Sequence, residues 1–367
     1  MPPPRKFHTK SHTGCIQCKR RRVKCGEEKP VCLRCKKRRE ICTFDSTESP
    51  PLATPTDNLD NTSHQRPPRG QELYLMHWFS TEVYTSLSES PDDLETWRTL
   101  IPREAVKHDF LLDGLLAIAC LHHADHIHEA SDSYRELALN YQDWGLANFR
   151  EALQQISSHN ANAALIFSGF ITVIALALSK DSGDPPPEAS LSVRTLLCGS
   201  ASIIHNAPEP LSSGLIGHIL KPSVGDATHY SEQAKEAMNR LRTRISQIAK
   251  LVSVKRRQVY ESSVAYLEHL MQHALGNHYA PIFEWPIQVD ERLVDLFREG
   301  DPMSQLIWAH YGVMLLKLHN RWWAKDVGIR LIESLCDILH SIDEEWTEWT
   351  VWPRTCIASL LDGDFNF

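Results

Sequence analysis

No phosphate-cradling G-x-x-x-x-G-K-[ST] loop, no dinucleotide-binding G-x-G-x-x-G and no G-x-S-x-G nucleophile elbow occurs in this 367-residue chain. No H-E-x-x-H accompanies its histidines. Nothing therefore recommends nucleotide, hydride or acyl-transfer chemistry, and the chain reads as a non-enzyme. The opening MPPPRKFHTK leads into no apolar secretory segment, so the expected environment is intracellular and reducing. Runs that alternate apolar and polar residues are scarce, which argues against a sheet-built body.

What is abundant is cysteine at the N-terminus. Cys15, Cys18, Cys25, Cys32, Cys35 and Cys42 read C-x2-C-x6-C-x6-C-x2-C-x6-C. CIQCKRRRVKC recurs 17 residues later as CLRCKKRREIC, a tandem copy of one small turn. Each copy offers three thiolates, whereas a structural zinc takes four ligands in a tetrahedron. Two zinc ions would need eight sulfur positions, and six are supplied, so two sulfurs must be shared. The internal symmetry suggests that the shared pair is equivalent in the two copies. A segment this short cannot bury a stabilising core, so two zinc ions are expected to supply much of its folding energy. Iron–sulfur and disulfide frameworks are the alternatives, and the reducing context disfavours the second.

The segment resembles the binuclear zinc cluster of fungal transcription regulators, the galactose-regulator type. The resemblance implies that the first cysteine of each half bridges. One zinc would take Cys15, Cys18, Cys25 and Cys32, and the other Cys32, Cys35, Cys42 and Cys15. Pro30 falls where the family turns between halves. Base contacts in the family come from the third and fourth residues after the second cysteine, here Arg21 and Arg22. Many members carry Asp after the third cysteine, where this chain has Gly26, so the expected half-site contains G·C without being fixed as a CGG triplet.

Charge names the partner class. Residues 1–45 carry a formal +10 while the whole chain is −7, leaving −17 on the remainder. A basic head on an acidic body is the footprint of a polyanion-binding module joined to something different. The expected reading element is a short helix over Lys19-Arg20-Arg21-Arg22-Val23-Lys24, set in the major groove of double-stranded DNA. Lys19, Arg20, Lys24, Lys36, Lys37, Arg38 and Arg39 are expected on phosphates, which set register and affinity rather than sequence.

The expected fold is a small N-terminal binuclear zinc cluster, two short helices and loops, plus a large all-α regulatory domain. A basic arm covers 1–14, the cluster 15–42, a flexible Pro/Ser/Thr-rich linker 43–70, the regulatory domain 71–353 and a C-terminal tail 354–367. Period-3.6 patterns place helices at roughly 71–89, 104–128, 132–157, 161–179, 189–206, 230–276, 302–321 and 326–346. Breaks are expected at Asp184 to Pro187, at Pro208 to Pro210 and at Trp285-Pro286. No heptad repeat follows the cluster. Ala234, Met238, Leu241, Ile245, Ile248 and Val252 form the nearest candidate, too short for a coiled coil and read as an ordinary packed helix.

The body resembles the sterol uptake control regulators and their filamentous-fungal relatives, through LMHWFSTEVYTSL, WRTLIPREAVKHDFLLDGLLAIACLHHA, YRELALNYQ, FEWPIQV and DEEWTEWTVWP, between about residues 72 and 353. That resemblance implies a helical domain that takes ergosterol in an apolar pocket and controls nuclear entry. It assigns no pocket residue here.

Three further features carry a plain structural reading beside a sharper one. Ala161 to Leu178 approaches membrane-spanning length but is interrupted by Asn162, Ser168, Gly169 and Thr172, and reads as a core helix rather than a membrane span. His122, His123, His126 and His128 share one helix and read as partly exposed structural histidines rather than metal ligands. Trp322, Trp323, Trp346, Trp349 and Trp352 fit either a ligand pocket or core. Cys120, Cys198, Cys336 and Cys356 read as buried free thiols. Asp343 to Trp352 reads as the last core helix, and the tail beyond it as the candidate contact for the transcription machinery.

The expected function is a nuclear, sequence-specific regulator of RNA polymerase II genes in a fungus, shuttling from the cytoplasm under control of a sterol-like or other hydrophobic metabolite, with homodimerisation open. Two alternatives stand beside it. One is a ligand-free activator of a secondary-metabolite gene cluster. The other is a nucleic-acid-binding scaffold without sequence choice.

Overall fold

The computed structural model describes residues 15–21, 23–28, 31–38, 42, 66–127, 131–179, 185–217, 231–273 and 279–365. The chain divides into two compact units, Met1–Thr62 and Ser63–Phe367. All regular structure among the described residues is helical.

In the first unit, α1 spans Ile16–Arg20 and α2 spans Leu33–Arg38. Its buried cluster consists of Cys15, Cys18, Cys25, Cys32 and Cys35, with Cys42 packed against them. Among the described residues of this unit, sulfur is the whole core.

The second unit begins where Arg66 grips Asp113 through two hydrogen bonds of 2.6 and 2.9 Å and lies 4.8 Å over the Trp144 ring. Helix α3 follows at Arg69–Trp78 and continues through a π-helical stretch to Leu87. The last residues of the expected 43–70 linker, from 66 on, therefore belong to the helical unit. Next come α4 (Ile101–Ala105), α5 (Asp109–His126), α6 (Ser131–Leu153), α7 (Ala161–Leu178), α8 (Pro186–Asn206) and α9 (Pro208–Ser212). The series ends with α10 (Glu232–Ile248), α11 (Val254–His273), α12 (Ala280–Gln288), α13 (Glu291–Arg298), α14 (Pro302–Leu315), α15 (Val327–Ile342) and α16 (Val351–Leu361).

Helix α5 is buried along nearly all its length and packs on α6, α7 and α3. A second centre forms where α14 crosses α15. That crossing is close because two glycines face it: a Cβ on Gly328 would meet the Leu316 nitrogen at 2.8 Å. One continuous hydrophobic cluster joins both centres. Helix α7 is long and apolar enough to cross a membrane, but 72% of it is buried against its neighbours, as expected of a core helix.

Three sequence expectations need correction. The single helix expected over 230–276 is two, because Ser231 caps α10 by accepting from the Ala234 nitrogen and Ser253 accepts from the Arg256 nitrogen to start α11. Leu251 between them is exposed. The break expected at Trp285-Pro286 is absent, and α12 runs through it. Pro286 has no N–H for the Ile282 carbonyl, and the buried Tyr311 hydroxyl donates to that carbonyl instead, at 3.0 Å. The boundary expected at 353 falls inside α16, which carries the helical unit on to Leu361.

The candidate heptad lies inside this unit's own core, with Ala234, Met238, Leu241 and Ile245 buried. Before α16, residues 344–350 form a 3-10 turn that buries Trp346 and Trp349. Arg244 sits 4.4 Å over the Trp346 ring and pairs with Glu345 at 2.7 Å. This acidic-aromatic stretch is core.

Candidate metal centre and nucleic-acid interface

The first unit repeats itself bond by bond. Cys15 N–H donates to the Cys25 sulfur and Cys32 N–H to the Cys42 sulfur, both at 3.4 Å. The Cys15 carbonyl accepts from Lys19 N at 3.0 Å, and the Cys32 carbonyl from Lys36 N at 2.9 Å. Each half is thus one turn of helix whose first cysteine precedes it and whose third cysteine is drawn back by the backbone.

The sulfurs of Cys15, Cys18, Cys32 and Cys35 all lie within 4.8 Å of one another. Cys15 Sγ is 3.8 Å from both Cys32 Sγ and Cys35 Sγ, and Cys32 Sγ is 3.8 Å from Cys18 Sγ. Four thiolates about 2.3 Å from a zinc stand about 3.8 Å apart along each tetrahedral edge. The donor set and its spacing therefore fit zinc. Each of these 3.8 Å approaches between the halves has Cys15 or Cys32, the first cysteine of a half, at one end.

The thiols are unequal. The backbone N–H of Cys35 draws the Cys32 thiol down to about 6, against the opposing effect of burial. Burial pushes the Cys15 thiol up, but hydrogen bonds from the Cys18 backbone and the surrounding thiols outweigh it. Cys18 is pushed up chiefly by burial, and Cys35 up to about 12 for the same reason.

The expected helix over residues 19–24 is displaced toward the N-terminus. Helix α1 stops at Arg20, and residues 23–28 are irregular, because the chain must turn back to bring Cys25 to Cys15. Glu27 adopts the left-handed region there (φ 61°), with its N–H 3.4 Å from the Cys25 sulfur. Lys19 and Arg20 are exposed in the last turn of α1, Lys24 is exposed beyond it, and Arg21 is half-buried at its C-cap. Lys36, Lys37 and Arg38 are exposed along the last turn of α2. Arg22, Arg39 and Pro30 lie outside the described residues.

Sequence reasoning missed two residues. Arg34 lines a shallow groove with Arg21, Lys37 and Arg38, floored by Val23 and Leu33. Its signal was the three- and four-residue spacing to Lys37 and Arg38 on one helix face. Glu28 accepts from the Leu33 N–H at 3.1 Å, tying the loop of the first half to the start of α2.

In the second unit the histidines form no metal group among the described residues. His122 and His123 are buried, not partly exposed as expected. Trp78 Nε1 donates to His122 Nδ1 at 3.2 Å, and His123 stacks on Tyr134 with ring centres 4.0 Å apart. Only His126 is open to solvent, and His128 lies outside the described residues. The tryptophans do not converge on one pocket. Trp322 and Trp323 line a small recess, Trp346 and Trp349 lie under Arg244, and Trp352 stacks on His310. Cys120, Cys336 and Cys356 are buried free thiols, whereas Cys198 is half-buried.

Residues 13–50 match the fungal Zn(2)-Cys(6) binuclear cluster domain, and residues 73–223 match the fungal specific transcription factor domain. A Zn(2)-C6 fungal-type transcription factor of Gibberella zeae is 24% identical over 98% of this chain and 88% of its own length. The Zn(2)-C6 fungal-type transcription factor afumD of Aspergillus fumigatus is 26% identical over 56% of this chain and 57% of its own length. Sterol uptake control protein 2 of Saccharomyces cerevisiae is 55% identical over 66% of this chain, a stretch that spans only 27% of that relative. A Zn(2)-Cys(6) domain holds two zinc ions, and the sulfur geometry above fits that load. With both domain types present and the six cysteines in register, the chain carries a fungal Zn(2)-Cys(6) cluster domain and a fungal specific transcription factor domain and resembles the Zn(2)-C6 transcription factors, DNA-binding regulators that act in the nucleus.

Proposed function

We propose that the chain is a sequence-specific regulator of RNA polymerase II genes whose zinc head reads a short G·C-containing element. The carrying observation is the reach of Cys15 and Cys32 into opposite halves at 3.8 Å, which locks two basic helices into one frame. Cys15 and Cys32 bridge the two zinc ions; Cys18 and Cys25 complete one site, Cys35 and Cys42 the other. Arg21 and Arg22 meet base edges, where a bidentate arginine–guanine pair contributes about 1–3 kcal/mol of discrimination. Lys19, Arg20, Lys24, Lys36, Lys37, Arg38 and Arg39 meet phosphates, and the exposure of the described members of that set supports this role.

Arm, cluster, linker, helical regulatory domain and tail divide the labour. The helical domain senses a hydrophobic metabolite and governs shuttling from cytoplasm to nucleus, and the segment after Leu361 contacts the transcription machinery. The likeness to sterol uptake control protein 2 supports a sterol-like ligand. The test is selection of bound duplexes from a random library by the full-length zinc-loaded protein at near-physiological salt. A recovered motif is expected, and its symmetry reports monomer or dimer. Binding without enrichment would instead favour the scaffold reading, since phosphate-driven binding is indifferent to sequence.

A further inference from the structure

An apolar cleft in the helical unit runs between α7, α8, α12, α14 and α15, enclosing about 550 Å³ with its open mouth included. It is narrow, and few water molecules fit between its walls. Val193, Leu197, Phe283 and Leu315 supply much of the apolar lining.

Its polar groups are few and of one sign. Arg194 and Arg330 line it, and no carboxylate does. Arg194 is 7% exposed; one of its terminal nitrogens meets Glu291 at 2.5 Å, yet its Nε is buried without an acceptor. The Nε1 of Trp308, a fully buried residue that also lines the cleft, has no acceptor either. Arg330 makes no ion pair with any described residue. A buried donor without a partner carries the full desolvation penalty of about 1–3 kcal/mol, and a folded protein rarely leaves two such groups beside one cavity with nothing to fill it.

We propose that this cleft binds a long-chain monocarboxylic acid, its hydrocarbon tail along Val193, Leu197, Phe283 and Leu315 and its carboxylate toward Arg194, Arg330 and the Trp308 N–H. An unbranched tail suits a narrow slot better than a fused ring system does. Arg330, a cation without an opposing carboxylate, and two buried N–H groups without an acceptor favour an anion over a neutral alcohol. The inference rests on the reading of the helical domain as a sensor of a hydrophobic metabolite, and it specifies an acid as the ligand class.

The test is equilibrium binding of dodecanoate, dodecanol and ergosterol to the full-length protein, each below its aggregation limit. Saturable dodecanoate binding is expected, at least tenfold tighter than dodecanol. Arg330→Gln should weaken dodecanoate about tenfold and leave dodecanol unchanged, while Val193→Trp should fill the slot and abolish both. Helical circular dichroism and the denaturation midpoint of each variant establish that it is folded. Equal affinities for acid and alcohol, or dodecanoate binding that survives Val193→Trp, would overturn the proposal. Ergosterol bound with dodecanoate excluded would overturn the acid ligand and uphold the sensor. No binding of any of the three would overturn both.

Discussion

Removal of single cluster cysteines tests the sharing of sulfur between two metals. With Cys15 and Cys32 as bridges, Cys18→Ala leaves one zinc with three thiolates and the other with its full four. Cys15→Ala or Cys32→Ala leaves both metals with three. Full-length Cys18→Ala is therefore expected to retain about one zinc under chelator concentrations at which either bridge variant retains none. The margin is large enough to read. A structural zinc contributes about 10–16 kcal/mol in comparable small modules, and among the described residues of the first unit the buried cluster that stands behind it is cysteine alone. Native mass spectrometry gives the stoichiometry directly, and a chelator titration gives the order of release. Cys25→Ala and Cys42→Ala should each behave like Cys18→Ala, and Cys120→Ser, buried in the other unit, should keep both metals. Loss of both zincs from Cys18→Ala at the chelator concentration that strips Cys15→Ala would refute the assignment. Retention of one zinc by Cys15→Ala would move the bridge to another pair.

Arg21→Ala should relax sequence preference in a selection experiment, whereas Lys37→Ala should weaken all duplexes alike and lower the slope of log affinity against log salt by about one. A change of preferred sequence in Lys37→Ala would show that α2 also reads bases. Arg66→Ala strands the Asp113 carboxylate, which is 1% exposed and whose proton affinity burial already raises, so a loss of about 2–3 kcal/mol in denaturant stability is expected; an unchanged midpoint would place residue 66 back in a linker. His310, fully buried against Trp352, is held at about 4 by burial while its unfolded value is 6.5. The unfolded chain therefore takes up the proton first, and stability falls as pH drops from about 6.5 toward 4, by about 2 kcal/mol at pH 5 from this one group. A His310→Gln variant with the same loss between pH 7 and pH 5 as the parent would assign that loss elsewhere.

The metal centre was legible because its geometry is local. Three cysteines within eleven residues, repeated at a fixed offset of 17, specify both the donor atoms and the turn that presents them. The limits of α1 were not legible, because they follow from where Cys25 must return rather than from the propensity of Arg20 to Lys24, all but Val23 of which are good helix formers. The same distinction governs the helical unit. Amphipathic periods located most helices, since a buried stripe is written at every third or fourth residue. They missed α12, whose proline is tolerated only because Tyr311, on a different helix, satisfies the carbonyl it frees. They also missed Arg194 beside Arg330, since each alone in a sequence is an unremarkable surface-type residue. What makes the pair chemical is the shared cleft, the absence of a carboxylate on its walls and a buried N–H without an acceptor. Local ligation can be read from spacing, but compensation between distant residues can be read only from the fold. The head declares its partner in its first 42 residues, whereas the ligand specificity proposed for the body rests on contacts that no single segment contains.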